Sequence, residues 1–388
     1  MRLSRMLGEI EPQIVRQLFM KAKEYAGVID LTLGDPDLPT PADVSRAGCE
    51  AILQGKTKYT ANAGLPELRE AIAEDIKRRL GLSYDPQSEI IVTVGAMGAL
   101  YLATLCLFDP GDEMIILAPH WPNYTNMVKM CRATPVFVNC YGAENIAALR
   151  ENVLAAVTPR TKALILNSPS NPTGQVLPAE ALAGLAEIAI TRDLTVYSDE
   201  VYHSILFGGR AHESIAALPG MQARTILIDS LSKRFSMTGW RIGCAAAPGS
   251  LIAQMTQMQE HIVACAPMFC QIAATEALRH GRSAEKEING AFESRCTVMA
   301  EGINQIEGLR CRMPEGAFYL FVDIRALGIP SIDFAFRLLD AERVALVPGV
   351  AFGPYGEGYV RIACTMPEDA LRAGLDRIAR FVGTLSAR

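Results

Sequence analysis

The sequence predicts an α/β protein with a mostly parallel main sheet, followed by a smaller α+β region. Two observations carry this. From about Ala42 onward, helical stretches such as ALYLATLCLF and AEALAGLAEIAITRD alternate with short β-branched runs. The runs EIIVTV, EMIILA, TPVFVN, KALILN, LTVYSD and RTILIDS are short and almost wholly apolar, as strands covered by helices on both faces must be. The last hundred residues change pattern: helix (SAEKEINGAFESRCTVMAEGINQI), strand (AFYLFVDI), helix (IDFAFRLLDAE), strands (VALVPG and YVRIAC) and helix (PEDALRAGLDRIARFVG). Ahead of the alternating region, IVRQLFMKAKEYAG reads as a helix stopped by Gly27.

A length of 388 residues exceeds what one core usually fills, so more than one domain is expected. The pattern divides the chain into residues 1–45, an N-terminal arm that also supplies part of the smaller unit, a large domain of 46–284, and a C-terminal small domain of 285–388. Half of the residues are hydrophobic and 20% are charged, the balance of a globular protein with a large core. The net charge is −5 and the basic residues are scattered, which argues against a nucleic-acid partner or a membrane-binding face. The ten cysteines form no C-x-x-C pair and no Cys/His metal spacing. The first residues carry charges where a signal peptide needs an apolar stretch, and no uncharged run reaches the roughly 20 residues of a membrane helix. A cytoplasmic protein without metal is the expectation.

The segment SLSKRFSMTGWRIG, residues 230–243, follows the strand RTILID. Its lysine, Lys233, sits at a strand end among small hydroxyl residues, with Arg241 eight positions on. That set suits an aldehyde that carries a phosphate: the amine takes the carbonyl carbon, while Ser230 and Arg241 take phosphate oxygens. Five other segments stand out: VYSDEVY (196–202) and NSPSNPTG (167–174), which run from strands into turns, VTVGAMGAL (92–100), a strand, a small-residue turn and a helix, PHWPNY (119–124), near a strand end, and TKYTANAGLPELREAI (57–72). Taken singly, most have plainer readings. A strand-end Asp often caps a helix, and a run of Asn, Ser, Pro and Gly is usually only a loop.

Together, and in their order along the chain, these six segments resemble the motifs of the class I/II aminotransferases of fold type I, which use pyridoxal phosphate. The resemblance runs along almost the whole chain and implies a pyridoxal-phosphate-binding large domain with a seven-stranded sheet. It implies that Lys233 carries the cofactor, that Asp199 pairs with its pyridine nitrogen, and that Tyr202 and Asn171 hydrogen-bond its phenolic oxygen. It also implies that Trp121 stacks on the ring and that the backbone at Ala96 and Met97 holds the phosphate with Ser230 and Arg241. Tyr59 would reach the phosphate of a neighbouring subunit, so a homodimer with shared sites is implied. Arg361 would bind the substrate's α-carboxylate, and Gly34 would bring its backbone close to the substrate. Trp121 and Asn171 would touch substrate as well.

The activity so implied is transfer of an amino group between an L-α-amino acid and a 2-oxo acid, in two half-reactions. A β-lyase acting through the same α-carbanion is the alternative. Some relatives that handle aspartate and glutamate place a lysine where this sequence has Met97, so dicarboxylate preference does not follow. A neutral or aromatic amino acid competes for the role of donor. A DNA-binding regulator on the same scaffold would need a longer and more basic N-terminal module than the thirty-residue arm before Gly34. A dehydrogenase or P-loop protein would need a Gly-x-Gly-x-x-Gly turn after a strand or a full Gly-x-x-x-x-Gly-Lys-Ser/Thr loop, and neither occurs: Gly55-Lys56-Thr57 has Glu50 where that loop needs its first glycine.

Overall fold

The structure is a computed structural model and describes residues 3–10 and 14–386; the rest of the expected N-terminal arm, and residues 387–388 of the expected small domain, lie outside the described residues. A two-residue strand, β1 (Ile29–Asp30), comes first. The main sheet then uses β2 (Ile90–Val94), β3 (Glu113–Ala118), β4 (Thr134–Asn139), β5 (Thr161–Asn167), β6 (Thr195–Asp199), β7 (Thr225–Ser230) and β8 (Ile242–Ala246). Their spatial order is β2-β8-β7-β6-β5-β3-β4. All neighbours pair in parallel except at β8, which runs antiparallel to both β2 and β7. Six strands therefore end on one edge of the sheet, where an open α/β sheet offers a crevice to ligands.

Both faces are covered, which is why the strands read as continuous apolar runs. Along β5, Leu164 and Leu166 pack with Leu185 and Ala189 of the helix Ala179–Thr191. Their neighbours Ala163 and Ile165 face the opposite way and share a core with Ala99 and Ala103 of the helix Gly95–Leu107. This is the two-residue period of a strand with no solvent face. Each fully buried Leu or Ile contributes roughly 1.5–3 kcal/mol.

All six expected strands form. β8 is the seventh, and its sequence, IGCAA, gives no β-branched signal beyond Ile242. Its small residues answer to a neighbour instead: a side chain on Gly243 would strike the backbone at Gly95 and Ala96, where the helix Gly95–Leu107 begins. The expected helix 14–27 is shorter than its pattern. It spans Ile14–Ala22, and residues 23–27 run as turns. Tertiary contacts explain the early stop. Tyr25 donates its hydroxyl proton to Asp340 and packs against the Arg343 guanidinium, which bends the chain toward β1.

The remaining strands are β9 (Arg310–Cys311), β10 (Tyr319–Asp323), β11 (Val344–Ala345), β12 (Val347–Pro348) and β13 (Tyr359–Ala363). An antiparallel sheet in the order β12-β13-β10-β9 uses four of them, and β11 pairs in parallel with β1. VALVPG, expected as one strand, thus serves two sheets on either side of Leu346. Leu18, Ile29 and Leu31 near the N-terminus share one core with Phe292, Phe334 and Phe381.

Beneath the carboxyl edge of the main sheet lies a buried ionic cluster. Arg234 donates two hydrogen bonds to Asp75, at 2.8 and 2.9 Å, and a third to Glu285. Arg79 bridges Asp75 and Asp229, and His203 meets Asp229 at 3.0 Å. Asp75, His203 and Asp229 converge as metal ligands could, but Arg79 and Arg234 already supply the positive charge, which leaves no electrostatic demand for a cation. These arginines hold the Asp75 carboxyl well below the usual carboxylate range despite its burial. Replacing Asp75 by Ala leaves Arg234 buried without its bidentate partner. We expect a loss of about 3 kcal/mol or more in urea denaturation at neutral pH, and a change under 1 kcal/mol would contradict this role.

Candidate active site

A cavity of about 150 Å³ opens at the carboxyl edge of the main sheet. Its walls come from strand ends and the turns that follow them. Asn167 ends β5, Asp199 ends β6 and Ser230 ends β7, while Lys233 stands in the short helix Leu231–Arg234. Ser230 shapes that helix: its Oγ accepts from the Ser232 N–H at 3.1 Å, an N-cap, and donates to the Ile242 carbonyl at 3.0 Å. Nine of the sequence-derived residues line the cavity: Ala96, Met97, Trp121, Asn171, Asp199, Tyr202, Ser230, Lys233 and Arg241.

Gly34 and Arg361 border it through hydrogen bonds. The Lys233 amine donates to the Gly34 carbonyl. Arg361, on β13, donates from Nη1 to Asn171 Oδ1 at 3.1 Å and from Nη2 to the Thr32 carbonyl. Its Nε is buried without a partner among the described residues. Tyr59 is not part of this cavity; it is 85% exposed. His120, beside Trp121, is buried and bonded to Thr125 at 2.6 Å.

Five further lining residues, Tyr124, Asn167, Val201, Ser232 and Thr238, escaped the sequence, and two of them hold Asp199 through their side chains. Tyr124 donates its hydroxyl proton to Asp199 Oδ2, and Asn167 donates its amide to the Asp199 carbonyl at 2.9 Å. Tyr124 stands three residues after Trp121, and the two rings meet edge to face at 5.5 Å. One helical turn of spacing was the available signal, but nothing local says what a buried phenol will touch. Asn167 sat in view, at the end of KALILN, and strand-end position was its signal.

The charges around the cavity are out of balance in a way that describes a ligand. Burial pushes the Asp199 carboxyl up to about 6, against the hydrogen bonds from Tyr124 and the Val201 N–H, while Asp229 and Glu200 push it further up. Such a carboxylate gains most from a cationic N–H partner. Burial lowers the Lys233 amine to about 8; Asp35 opposes this, and Arg241 and Arg361 add to it. An amine of that kind is neutral, and so nucleophilic, over a range where an ordinary lysine is charged.

At the third corner, the Arg241 guanidinium lies against Gly95, the first residue of the helix Gly95–Leu107, so closely that a Cβ there would strike Nη2. The helix has no side-chain cap. A cation at a helix N-terminus repels the dipole unless an anion lies between them. A ring N–H for Asp199, an aldehyde for Lys233 and a phosphate for Arg241 together describe pyridoxal phosphate, and the residues present fit it.

The profile of the family "Aminotransferase class I and II" matches residues 26–378. An aspartate aminotransferase of Geobacillus stearothermophilus is 40% identical over 392 residues, covering 98% of this chain and 99% of its own. The aromatic-amino-acid aminotransferase 2 of Thermococcus litoralis is 37% identical, covering 98% of both chains. Among solved structures, the aspartate aminotransferase from Thermus thermophilus with maleate superposes with a TM-score of 0.92 at 38% identity, over 98% of this chain and 100% of that one. The relatives named here are aminotransferases, and nothing among them supports a lyase. Given the strand-end site and matches that span nearly its whole length, this chain belongs to the class I and II aminotransferases, fold type I enzymes that use pyridoxal phosphate.

Proposed function

We propose that the cavity is the catalytic site of a transaminase that prefers a neutral or aromatic amino acid as donor, with Lys233 as its central residue. The observation that carries the reading is the placement of a weakly basic amine, a buried carboxylate and a phosphate-suited corner around one cavity. When bound there, pyridoxal phosphate withdraws electrons from the substrate's α-carbon. Asp199 keeps a proton on the ring nitrogen, and Tyr124 and Asn167 hold Asp199 in place. Tyr202 and the Asn171 amide hydrogen-bond the phenolic oxygen. Because Asn171 Oδ1 already accepts from Arg361, its amide donor is left to turn toward the cavity.

Arg241 and the N–H groups at Ala96 and Met97 would take the phosphate, joined by Ser230 once its hydroxyl turns from the Ile242 carbonyl. Trp121 lies against the ring. Arg361 binds the α-carboxylate, using donors that include its unpartnered Nε, and Gly34 keeps the substrate's approach open. The Lys233 amine moves a proton between the substrate's α-carbon and the cofactor's C4′ carbon. The amino group stays on the enzyme until a second oxo acid collects it, so the kinetics are ping-pong.

Preference for a neutral or aromatic donor is supported by Met97, which is 40% exposed and takes a hydrogen bond on its sulfur from Asn123 at 3.4 Å. A thioether offers a soft apolar contact where a lysine would offer charge. We also infer a two-fold homodimer in which Tyr59 serves the partner's site, supported by the exposure of Tyr59 and of Leu53, at 86%. Residues 1–45 and 285–388 form one unit against 46–284, supported by the pairing of β1 with β11 and by their common core. A cytoplasmic location is supported by ten cysteines that are all unpaired.

Two measurements test this. In a panel of amino donors followed by cofactor absorbance, neutral or aromatic amino acids should give higher kcat/KM than aspartate; a large preference for aspartate would defeat the specificity reading. In the same panel, Arg361→Ala should raise KM for donor and acceptor by about a hundredfold while cofactor affinity holds. The reverse pattern would relocate the carboxylate site.

The second is the rate at which cofactor-free protein captures pyridoxal phosphate. Only the neutral amine attacks, so the rate should climb with pH and level off above about 8. A climb continuing to the pH of an ordinary lysine would contradict the lowered basicity of Lys233.

A further inference from the structure

We propose that Tyr319 is a positioning residue for the reaction: its hydroxyl donates to the Tyr202 oxygen and so leaves the Tyr202 proton free for the cofactor. The proposal rests on the reading of Tyr202 and Arg361 given above. Tyr319 lies on β10 of the antiparallel sheet, whereas Tyr202 follows β6 of the main sheet, yet their hydroxyls are 3.0 Å apart and both residues are buried. The rings meet edge to face at 5.7 Å, so packing as well as the hydrogen bond fixes the pair. A Cβ on Gly34 would collide with the Tyr319 hydroxyl. That glycine therefore makes room for the phenol as well as accepting from Lys233.

Each phenol has one proton, so the direction of the bond matters. If Tyr202 donated to Tyr319, it would have nothing left to offer the cofactor's phenolic oxygen. The surrounding charges set the direction. The Arg361 guanidinium lies 4.6 Å from the centre of the Tyr319 ring and favours negative charge building on that oxygen. At Tyr202 the Asp199 carboxylate disfavours such charge and outweighs Arg361, whereas at Tyr319 Arg361 is the foremost neighbouring charge. Asp35 bears on Tyr319 as a smaller opposing charge, and Lys233 reaches the pair through Gly34. Tyr319 is thus the better donor and Tyr202 the better acceptor. The arrangement couples the arginine proposed for substrate carboxylate to the residue proposed for cofactor tuning.

The test is a spectrophotometric pH titration of the bound cofactor in reconstituted enzyme. A hydrogen bond donated to the phenolic oxygen favours the proton-poor form of the bound cofactor, so weakening it raises the midpoint. Tyr202→Phe should raise it. Tyr319→Phe, which keeps the ring over Arg361, should raise it by about half to one pH unit without loss of cofactor affinity. The double variant should go no further than Tyr202→Phe alone. A wild-type midpoint in Tyr319→Phe while Tyr202→Phe is shifted, or additive shifts in the double variant, would overturn the role of Tyr319 alone. An unshifted midpoint in Tyr202→Phe would remove the Tyr202 assignment and this proposal with it. Should Tyr319→Phe fail to fold, 3,5-difluorotyrosine at position 319 supplies a stronger donor and should lower the midpoint; no change there would overturn the proposal equally.

Discussion

A lysine amine buried just past the end of a strand gives up part of its hold on a proton, and the rest of the site depends on that loss. Burial lowers the basicity of Lys233 most; Asp35 opposes the shift, Arg241 and Arg361 add to it, and the Gly34 carbonyl fixes where the amine sits. An ordinary surface lysine would remain protonated at neutral pH and unable to attack a carbonyl carbon. Holding the weakened base in place has a structural cost. Its neighbour Arg234 meets that cost with the bidentate bond to Asp75.

The same front-and-back division recurs at each strand end. Asp199 faces the cavity, and Glu200 turns back to Ser198, Ser214 and His212. Ser230 lines the cavity, and Asp229 turns back to His203 and Arg79. The alternation of a strand continues past its end, so one residue does chemistry while the next anchors the loop. The buried acids also act electrostatically, since Asp229 and Glu200 both raise the proton affinity of Asp199. The ionic cluster thus supports the site mechanically and adjusts it.

What the sequence revealed was what is local. Lys233, Asp199 and Asn171 stand at or just past apolar strand runs, and spacing alone places Arg241 near Lys233. The six strands with branched or large apolar side chains were visible for the same reason. β8 was not, because IGCAA is selected by the close approach of a helix and not by strand propensity. The helix expected over 14–27 stopped early because Tyr25 is held by Asp340 and Arg343, more than 300 positions away. Tyr124 and Tyr319 were hidden by the same kind of distance, since each matters through a side chain on another element. Tyr59 lay in plain view within its motif, but the role proposed for it concerns a second copy of the chain.

The most direct measurement of the central claim is chemical. Cofactor-loaded protein is reduced with borohydride, digested, and mapped by mass spectrometry for the phosphopyridoxyl group. The group should be found on the peptide carrying Lys233, at that side chain. A modified lysine elsewhere, with Lys233 recovered intact, would contradict the site as built here.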